Sequence, residues 1–136
     1  MSKPRSYQQH KRFFGLVEAA FNHWPEGHPF KPKDSEHLRH WLLCAVNHST
    51  IKTFETEGDA TAIAKLLPIV VAIMTKTNCW TKAVGNEVQV CVPKSISYEE
   101  VSHQEFQGIS NVVGDIIQEV IGIEPDTLLA ESEKAA

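Results

Sequence analysis

The chain lacks the features that would assign it at once to a disulfide-bonded, secreted or membrane-spanning class. Its three cysteines, Cys44, Cys79 and Cys91, are an odd number without close pairs, so we expect free thiols and a reducing cytosol. The longest apolar run, Leu66 to Met74, is about half of the ~20 residues that cross a bilayer, so we expect it in the core. The opening residues contain no apolar segment, and we expect no secretory signal.

Motifs for catalysis and nucleotide binding are also missing. The sequence contains no GxxxxGK(S/T), GxGxxG, GxSxG or HExxH pattern, which removes the usual evidence for nucleotide binding or hydrolysis. No cysteine stands in a local pattern typical of a nucleophile, and the acidic residues fit a solvated helix face better than a magnesium site. We therefore expect neither an enzyme nor a cofactor, with a metal-dependent nuclease as the alternative.

Charge is distributed unevenly along the chain. Residues 1–52 contain eight Lys or Arg against four acids, together with six of the seven histidines, whereas residues 53–136 contain five basic residues against thirteen acids. A basic N-terminal half is suited to phosphates, and the acidic remainder is repelled by them. Scattered, solvated surface charges are the alternative interpretation.

Apolar residues at three- and four-residue spacing predict three long helices. The first begins near Ser6 or Tyr7 and ends before Pro25, the second covers residues 35–48, and the third begins after Ser102 and ends at Gly122. We expect their core positions to be Phe13, Val17, Phe21, Trp41, Leu42, Ile109, Val113 and Ile116.

A β-hairpin is predicted at about residues 79–92, where two alternating runs flank Gly85-Asn86 as in a type II′ turn. The sequence thus predicts an α+β fold, a mainly helical single domain over residues 1–130 with the hairpin packed against three or four helices. We expect residues 131–136 to be a frayed tail.

Two internal segments are harder to assign. Residues 49–58 are typical of an exposed connection, and Asp59 is placed to cap a short helix. Residues 66–77 fit a helix and a buried strand equally well, because the run Ile69-Val70-Val71 is β-branched and Pro68 interrupts the helical pattern.

The stretch RSYQQHKRFF, residues 5–14, combines basic, amide and aromatic side chains. Arginine can contact phosphate in a bidentate manner, lysine acts as a point charge, and tyrosine can stack on a base. The alternative is an ordinary helix start with solubilising charges. The candidate nucleic-acid-binding residues are Arg5, Tyr7, Gln8, Lys11 and Arg12.

A second constellation contains the residue types that bind zinc. His37, His40, Cys44 and His48 fall within about an 80° arc of the second helix. One straight helix rarely closes a tetrahedron around an ion, so these remain weak metal candidates and we expect a partly buried polar flank without a metal.

Three segments resemble, in the same order, segments of a family of uncharacterised phage and prophage proteins. They are RSYQQHKRFFGLVEAAF, EHLRHWLL and VPKSISYEEVSHQEF. This chain departs from the family pattern at Gly15, where the family usually has Ala, and at Val101-Ser102, where it has Met-Asp. It also has no counterpart of the N-terminal β segment that many members carry.

The opening motif, Arg5-Ser6-x-x-Gln9 followed by basic and aromatic residues, is similar to that of the NinB (Orf) recombination proteins of lambdoid phages. That resemblance implies a cytoplasmic protein of a bacterial host cell that binds single-stranded nucleic acid, as a recombination mediator. The alternative is a phage protein that binds and inhibits a host defence protein through its acidic half. Neither hypothesis involves a membrane, and both allow a homodimer.

Overall fold

The described chain contains both helices and strands. The structure is a computed structural model that describes residues 7–75, 78–96 and 101–135. Within these ranges it contains five α-helices and a three-stranded antiparallel sheet, so the predicted α+β class is confirmed. In chain order the elements are α1 (Tyr7–Asn22), α2 (Ser35–Ala45), β1 (Ser49–Glu55), α3 (Ala60–Thr75), β2 (Trp80–Val84), β3 (Glu87–Pro93), α4 (His103–Ile121) and α5 (Pro125–Ala135).

Contacts along the chain form two compact units. Unit 1 comprises Met1–Leu42 and Ser95–Ala136, and unit 2 comprises Leu43–Lys94. Unit 1 therefore contains α1, most of α2, α4 and α5, whereas unit 2 contains the sheet and α3. The prediction of one globular domain over residues 1–130 stays a prediction.

The core of unit 1 forms where α1 packs against α4 and α5. Phe13 and Phe106, both fully buried, meet edge to face with ring centroids 5.2 Å apart. Four predicted core residues are buried: Phe13, Val17, Leu42 and Val113. The other four are only partly buried: Phe21, Trp41, Ile109 and Ile116. Ile109 and Ile116 are only partly buried because of their positions around the axis of α4. Phe106, Val113 and Ile117 form the centre of its buried stripe, and the two isoleucines lie at the edge.

Local signals set the bounds of α4 as predicted. The Ser102 hydroxyl accepts a hydrogen bond from the backbone N–H of Glu105 at 3.2 Å, which satisfies one of the free donors of the first turn. At the other end Gly122 has a φ of 83°, and its N–H donates to the carbonyl of Gln118 at 2.7 Å. Both predicted caps are confirmed.

The second helix ends three residues earlier than predicted, at Ala45. Asn47 takes a left-handed φ of 64°, and its N–H donates to the Cys44 carbonyl. The N–H of His48 donates to the Leu43 carbonyl at 2.9 Å. These two bonds are those of a Schellman motif with Asn in the position that glycine usually takes, and this motif ends the helix. The sequence prediction was too long because the helical pattern of apolar residues continues beyond that point.

The last helix, α5, comes in addition to the three long helices predicted from the sequence. Pro125 occupies its first position, where proline costs no hydrogen bond, and Leu128 is fully buried. A Cβ placed on Gly15 of α1 would lie 3.5 Å from Cδ2 of Leu129. Contact with α1 therefore stabilises a segment with too few apolar residues to be recognised as a helix by itself.

The sheet of unit 2 has the order β1-β3-β2, with both neighbouring pairs antiparallel. The prediction that residues 49–58 form an exposed connection is wrong for 49–55, which pair with β3 from Ser49↔Pro93 to Glu55↔Glu87. Most of β1 is exposed, so it has none of the alternating burial that identifies a strand in a sequence. Its partner is also more than thirty residues away along the chain.

The predicted hairpin is confirmed as β2 and β3. Val84 pairs with Glu87 across the two-residue loop Gly85-Asn86, and Gly85 alone of the two has a positive φ, 63°, as a type II′ turn requires. Val88 and Val90 lie on the buried face of β3 and pack against α3. The packing partner of the hairpin within unit 2 is thus α3.

Residues 60–75 form one helix in spite of Pro68. Of the segment 66–77, which fitted a helix and a strand equally well, residues 66–75 are therefore helical, and residues 76–77 lie outside the described residues. Proline cannot donate a hydrogen bond to the carbonyl four residues earlier, that of Ala64. The hydroxyl of Thr81 on β2 donates to that carbonyl instead, which fixes the helix to the sheet. In the part of the chain that the structure describes, no helix is long and apolar enough to cross a membrane.

Candidate nucleic-acid interface

The predicted nucleic-acid patch at the start of α1 is only partly within the described structure. Arg5 lies outside the described residues. Tyr7 and Gln8 belong to the first turn of α1, but only their backbone is described. Lys11 is exposed on α1, as the prediction requires.

Arg12 has an acidic partner that the sequence did not reveal. Its Nη2 lies 2.5 Å from Oδ1 of Asp126, at the beginning of α5, and the two side chains are 44% and 86% exposed. The pair lies at the surface, where an ion pair contributes little stability, but the carboxylate cancels the charge that Arg12 would offer to a phosphate. The predicted patch is therefore less positive than its sequence indicates.

Gln9 and His10 of the opening stretch, whose side chains are described, contact other side chains within unit 1. Nε2 of Gln9 donates to Oε1 of Gln107 on α4 at 2.5 Å. The ring of His10 lies 4.5 Å from that of Phe14, and the guanidinium of Arg39 lies 4.8 Å from the centre of the same Phe14 ring. This part of the stretch is a helix surface that contacts other helices.

A cluster of aromatic rings joins the connection after α1 to α2. Trp41 stacks on Phe30 with centroids 4.8 Å apart and an interplanar angle of 7°, and it meets Trp24 edge to face at 5.8 Å. The indole N–H of Trp24 donates to the carbonyl of Phe30 at 2.9 Å. The N–H of Phe30 donates to Nδ1 of His28 at 3.0 Å, so both the rings and the backbone fix this proline-rich segment.

An open cleft of about 380 Å³ adjoins this cluster. Its lining residues are Phe21, Trp24, Pro25, Glu26, Lys31 and Pro32. The volume lies within the ~300–1,000 Å³ typical of small-molecule sites, and the lining is mostly apolar with one ammonium and one carboxylate. Lys33, two residues beyond Lys31, is also exposed. The cleft thus combines two aromatic side chains with one lysine and one glutamate, in the basic half of the chain.

The histidines of α2 contribute no charge to this surface near neutral pH. Burial lowers the pKa of His40 from 6.5, and the neighbouring Arg39 lowers it further. Burial, followed by Lys33, lowers the pKa of His37. Nδ1 of His37 accepts from the N–H of Lys33 at 3.0 Å, while Asp34 accepts from the N–H of His37 at 2.7 Å and so caps α2.

The metal candidates His37, His40, Cys44 and His48 are not arranged as a site. Among the described residues, no group of three or more His, Cys, Asp or Glu is placed to hold a metal ion. Burial raises the pKa of Cys44, and a hydrogen bond with Cys91 raises it further. Burial also raises the pKa of Cys79. Thiols with raised pKa values stay protonated near neutral pH, which makes them poor nucleophiles.

Unit 1 also has an acidic surface on α4 and α5. Among the side chains that the structure describes, six exposed carboxylates belong to these helices and the short connection between them: Glu105, Asp115, Glu119, Glu124, Asp126 and Glu131. Lys134 is the only Lys or Arg in the sequence after Lys94. The two charged surfaces of unit 1 therefore have opposite sign.

Comparison with family models, with curated proteins and with solved structures finds no match to this chain. The resemblance to the phage family and to NinB thus depends on its motifs alone. Function is therefore inferred from the physical features of the chain.

The sequence contained a signal for the cleft that motif reasoning missed. The segment HWPEGHPFKPKD has two aromatic residues, three prolines and two lysines within twelve positions. Turn chemistry identifies it as a loop, but the density of rings beside lysines is the composition expected of a stacking site.

Proposed function

We propose that this protein binds single-stranded nucleic acid through the cleft between the end of α1 and the start of α2. The observation that carries the proposal is the placement of Trp24 and Phe21 in one open cleft with Lys31. Aromatic faces bind bases of any sequence by stacking, and lysines follow the phosphate backbone.

Each polar group of the cleft has a part in this proposal. Lys31 and Lys33 supply positive charge for phosphates, and the Glu26 carboxylate can accept a hydrogen bond from an exocyclic amino group of a base. Hydrogen bonds fix Trp24 and Phe30 in place before any ligand arrives, which lowers the entropy lost on binding. The exposed Lys11 extends the positive surface along α1. At 1.5 Å per residue it lies about 17 Å along the helix axis from Asn22, the last residue of α1.

The motif resemblance supports the same class of partner. NinB proteins bind single-stranded DNA, and a role as a phage recombination mediator in the bacterial cytoplasm follows from that similarity. Within this proposal the cleft residues act together with the sequence-predicted Arg5, Tyr7, Gln8 and Lys11, whereas Arg12 contributes little while Asp126 neutralises it.

A fluorescence titration with a short labelled oligonucleotide tests the proposal. Binding should quench the indole emission, and Trp24→Phe should remove most of the quenching while an aromatic face remains for stacking. Lys31→Ala should weaken binding and reduce the slope of log K against log salt by about 0.7, the value for one phosphate contact on a single strand. Lys65→Ala is the matched control, because Lys65 is an exposed lysine of α3, in unit 2.

The acidic surface of α4 and α5 favours a second candidate, a phage protein that inhibits a host defence protein. The six exposed carboxylates, one of which, Asp126, is paired with Arg12, can dock on a basic cleft that ordinarily accepts nucleic acid. Capture from host lysate after nuclease treatment tests it. Asp115→Ala with Glu119→Ala should abolish capture of a host protein, whereas Glu57→Ala, which removes an exposed carboxylate of unit 2, should not.

A further inference from the structure

One face of α3 in unit 2 is apolar and exposed. Leu66, Ile69, Val70, Ile73 and Met74 are exposed by 61%, 57%, 46%, 75% and 77%. Their spacing of i, i+3, i+4, i+7 and i+8 is that of a buried helix face. These five residues form the α3 stripe.

The α3 stripe is separate from the face that α3 uses within its own unit. Ala60, Ala64 and Leu67 belong to the adjoining side of the helix, about 120° around its axis from the centre of the stripe, and that side packs on β2 and β3. The helix is therefore apolar on two sides and only one of them is covered. A helix that is apolar all round is normally buried on all sides.

The α3 stripe is large enough to form most of one side of an interface. At these exposures the five side chains offer on the order of 600 Å² of apolar surface, the upper end of the ~300–600 Å² reached by the largest patch on a soluble monomer. A stable interface buries about 800 Å² on each partner. The stripe with a narrow polar rim is sufficient for one side of such an interface.

The charge of α3 indicates which partner fits. Lys65 is its only charged residue, so the stripe offers no ionic group to a charged surface. Burying a partner's charge against it would leave that charge unpaired. A second copy of the same uncharged stripe matches it in both polarity and area, and a two-fold axis brings the same patch to both sides.

We propose that the α3 stripe is a homodimer interface, in which α3 of one protomer packs against α3 of its partner. This interface is independent of the nucleic-acid cleft, which lies in unit 1. Two clefts in one dimer increase avidity for a single strand long enough to reach both, without any new contact.

Sedimentation equilibrium of the full chain tests this proposal. We expect a dimer, and we expect Ile73→Glu to raise its dissociation constant by about tenfold or more, because the glutamate becomes buried without a partner. Ala72→Glu is the matched control, since Ala72 is exposed on the same helix but lies outside the stripe. It should leave the dimer intact.

A second measurement covers the case in which Ile73→Glu fails to fold. Amide exchange of α3 in the unmodified chain should slow as the protein concentration rises, because dimerisation covers the helix. A chain that stays monomeric at high concentration overturns the proposal. The proposal is also overturned if Ile73→Glu and Ala72→Glu weaken the dimer equally. It is overturned as well if the protein dimerises but amide exchange in α3 does not slow.

Discussion

Arg12 and Asp126 are 114 positions apart in the sequence, yet the guanidinium Nη2 lies 2.5 Å from the carboxylate Oδ1. The contact joins α1 to the first turn of α5, where a carboxylate also interacts favourably with the helix dipole. It means that one of the two arginines of the opening stretch is already occupied by an anion.

Removing the carboxylate should make Arg12 available to phosphate. We expect Asp126→Asn to tighten single-strand binding at low salt, and we expect Arg12→Ala to weaken binding more in the Asp126→Asn background than in the unmodified chain. Anisotropy titrations of the four proteins measure this coupling. Asp115→Asn controls for the loss of one negative charge elsewhere in unit 1, and equal gains from Asp126→Asn and Asp115→Asn would contradict a specific role of the ion pair.

The bond from Thr81 to the Ala64 carbonyl should contribute to the stability of unit 2. Thr81→Val keeps the shape of the side chain but leaves the carbonyl, already without its helical donor because of Pro68, unsatisfied. We expect a loss of about 1–3 kcal/mol in the free energy of unfolding, measured with urea. Thr81→Ser retains the donor and should cost less, and a larger loss from Ser than from Val would mean that packing of the methyl group contributes more than the hydrogen bond.

Replacing Gly15 by alanine should stabilise the folded protein. A methyl group there would make ordinary van der Waals contact with Leu129, and alanine is the better helix former, so Gly15→Ala should stabilise the protein by about 0.5–1 kcal/mol. Gly122→Ala should do the opposite and cost about 1–2 kcal/mol, because Gly122 has a φ of 83°. Thermal unfolding of both variants measures the two effects, and destabilisation by Gly15→Ala would show that α1 and α5 pack more closely than the structure indicates.

The free energy of unfolding should decrease as the pH falls, in part because of His40. Its pKa in the folded chain is lowered from the ordinary 6.5 by burial and by Arg39. Below pH 6.5 the unfolded chain therefore takes up a proton that the folded chain does not, so the contribution of His40 is complete above that pH and is lost as the pH falls. Urea midpoints measured from pH 7.5 to 5.5 should decline less steeply for His40→Gln, and the same decline in both proteins would contradict the assignment.

The structure could be predicted from the sequence where its determinant is local. Ser102, Gly122 and Gly85 each act within a few residues, and the caps and the turn that they predict are present. The largest failure, at β1, involves a distant partner. β1 depends on pairing with β3, which no local pattern specifies.

In the candidate site, too, the features with local determinants could be predicted from the sequence and those that depend on distant residues could not. The exposure of Lys11 could be predicted from the helical period, because the apolar face fixes which side of α1 faces water. The neutralisation of Arg12 by Asp126 could not, because the two ends of the chain meet only after folding. The cleft around Trp24 requires a loop that returns to α2, and the sequence shows its composition but not its shape.

The most direct test of the proposed function is a titration of the unmodified protein with a short single-stranded oligonucleotide at low and at moderate salt. We predict saturable binding at low salt that is accompanied by quenching of Trp24, that weakens as salt rises, and that Lys31→Ala weakens further. Binding that is unaffected by Lys31→Ala would contradict the cleft as the binding site. Absence of binding at low salt, where phosphate contacts are strongest, would contradict nucleic-acid binding by this protein altogether.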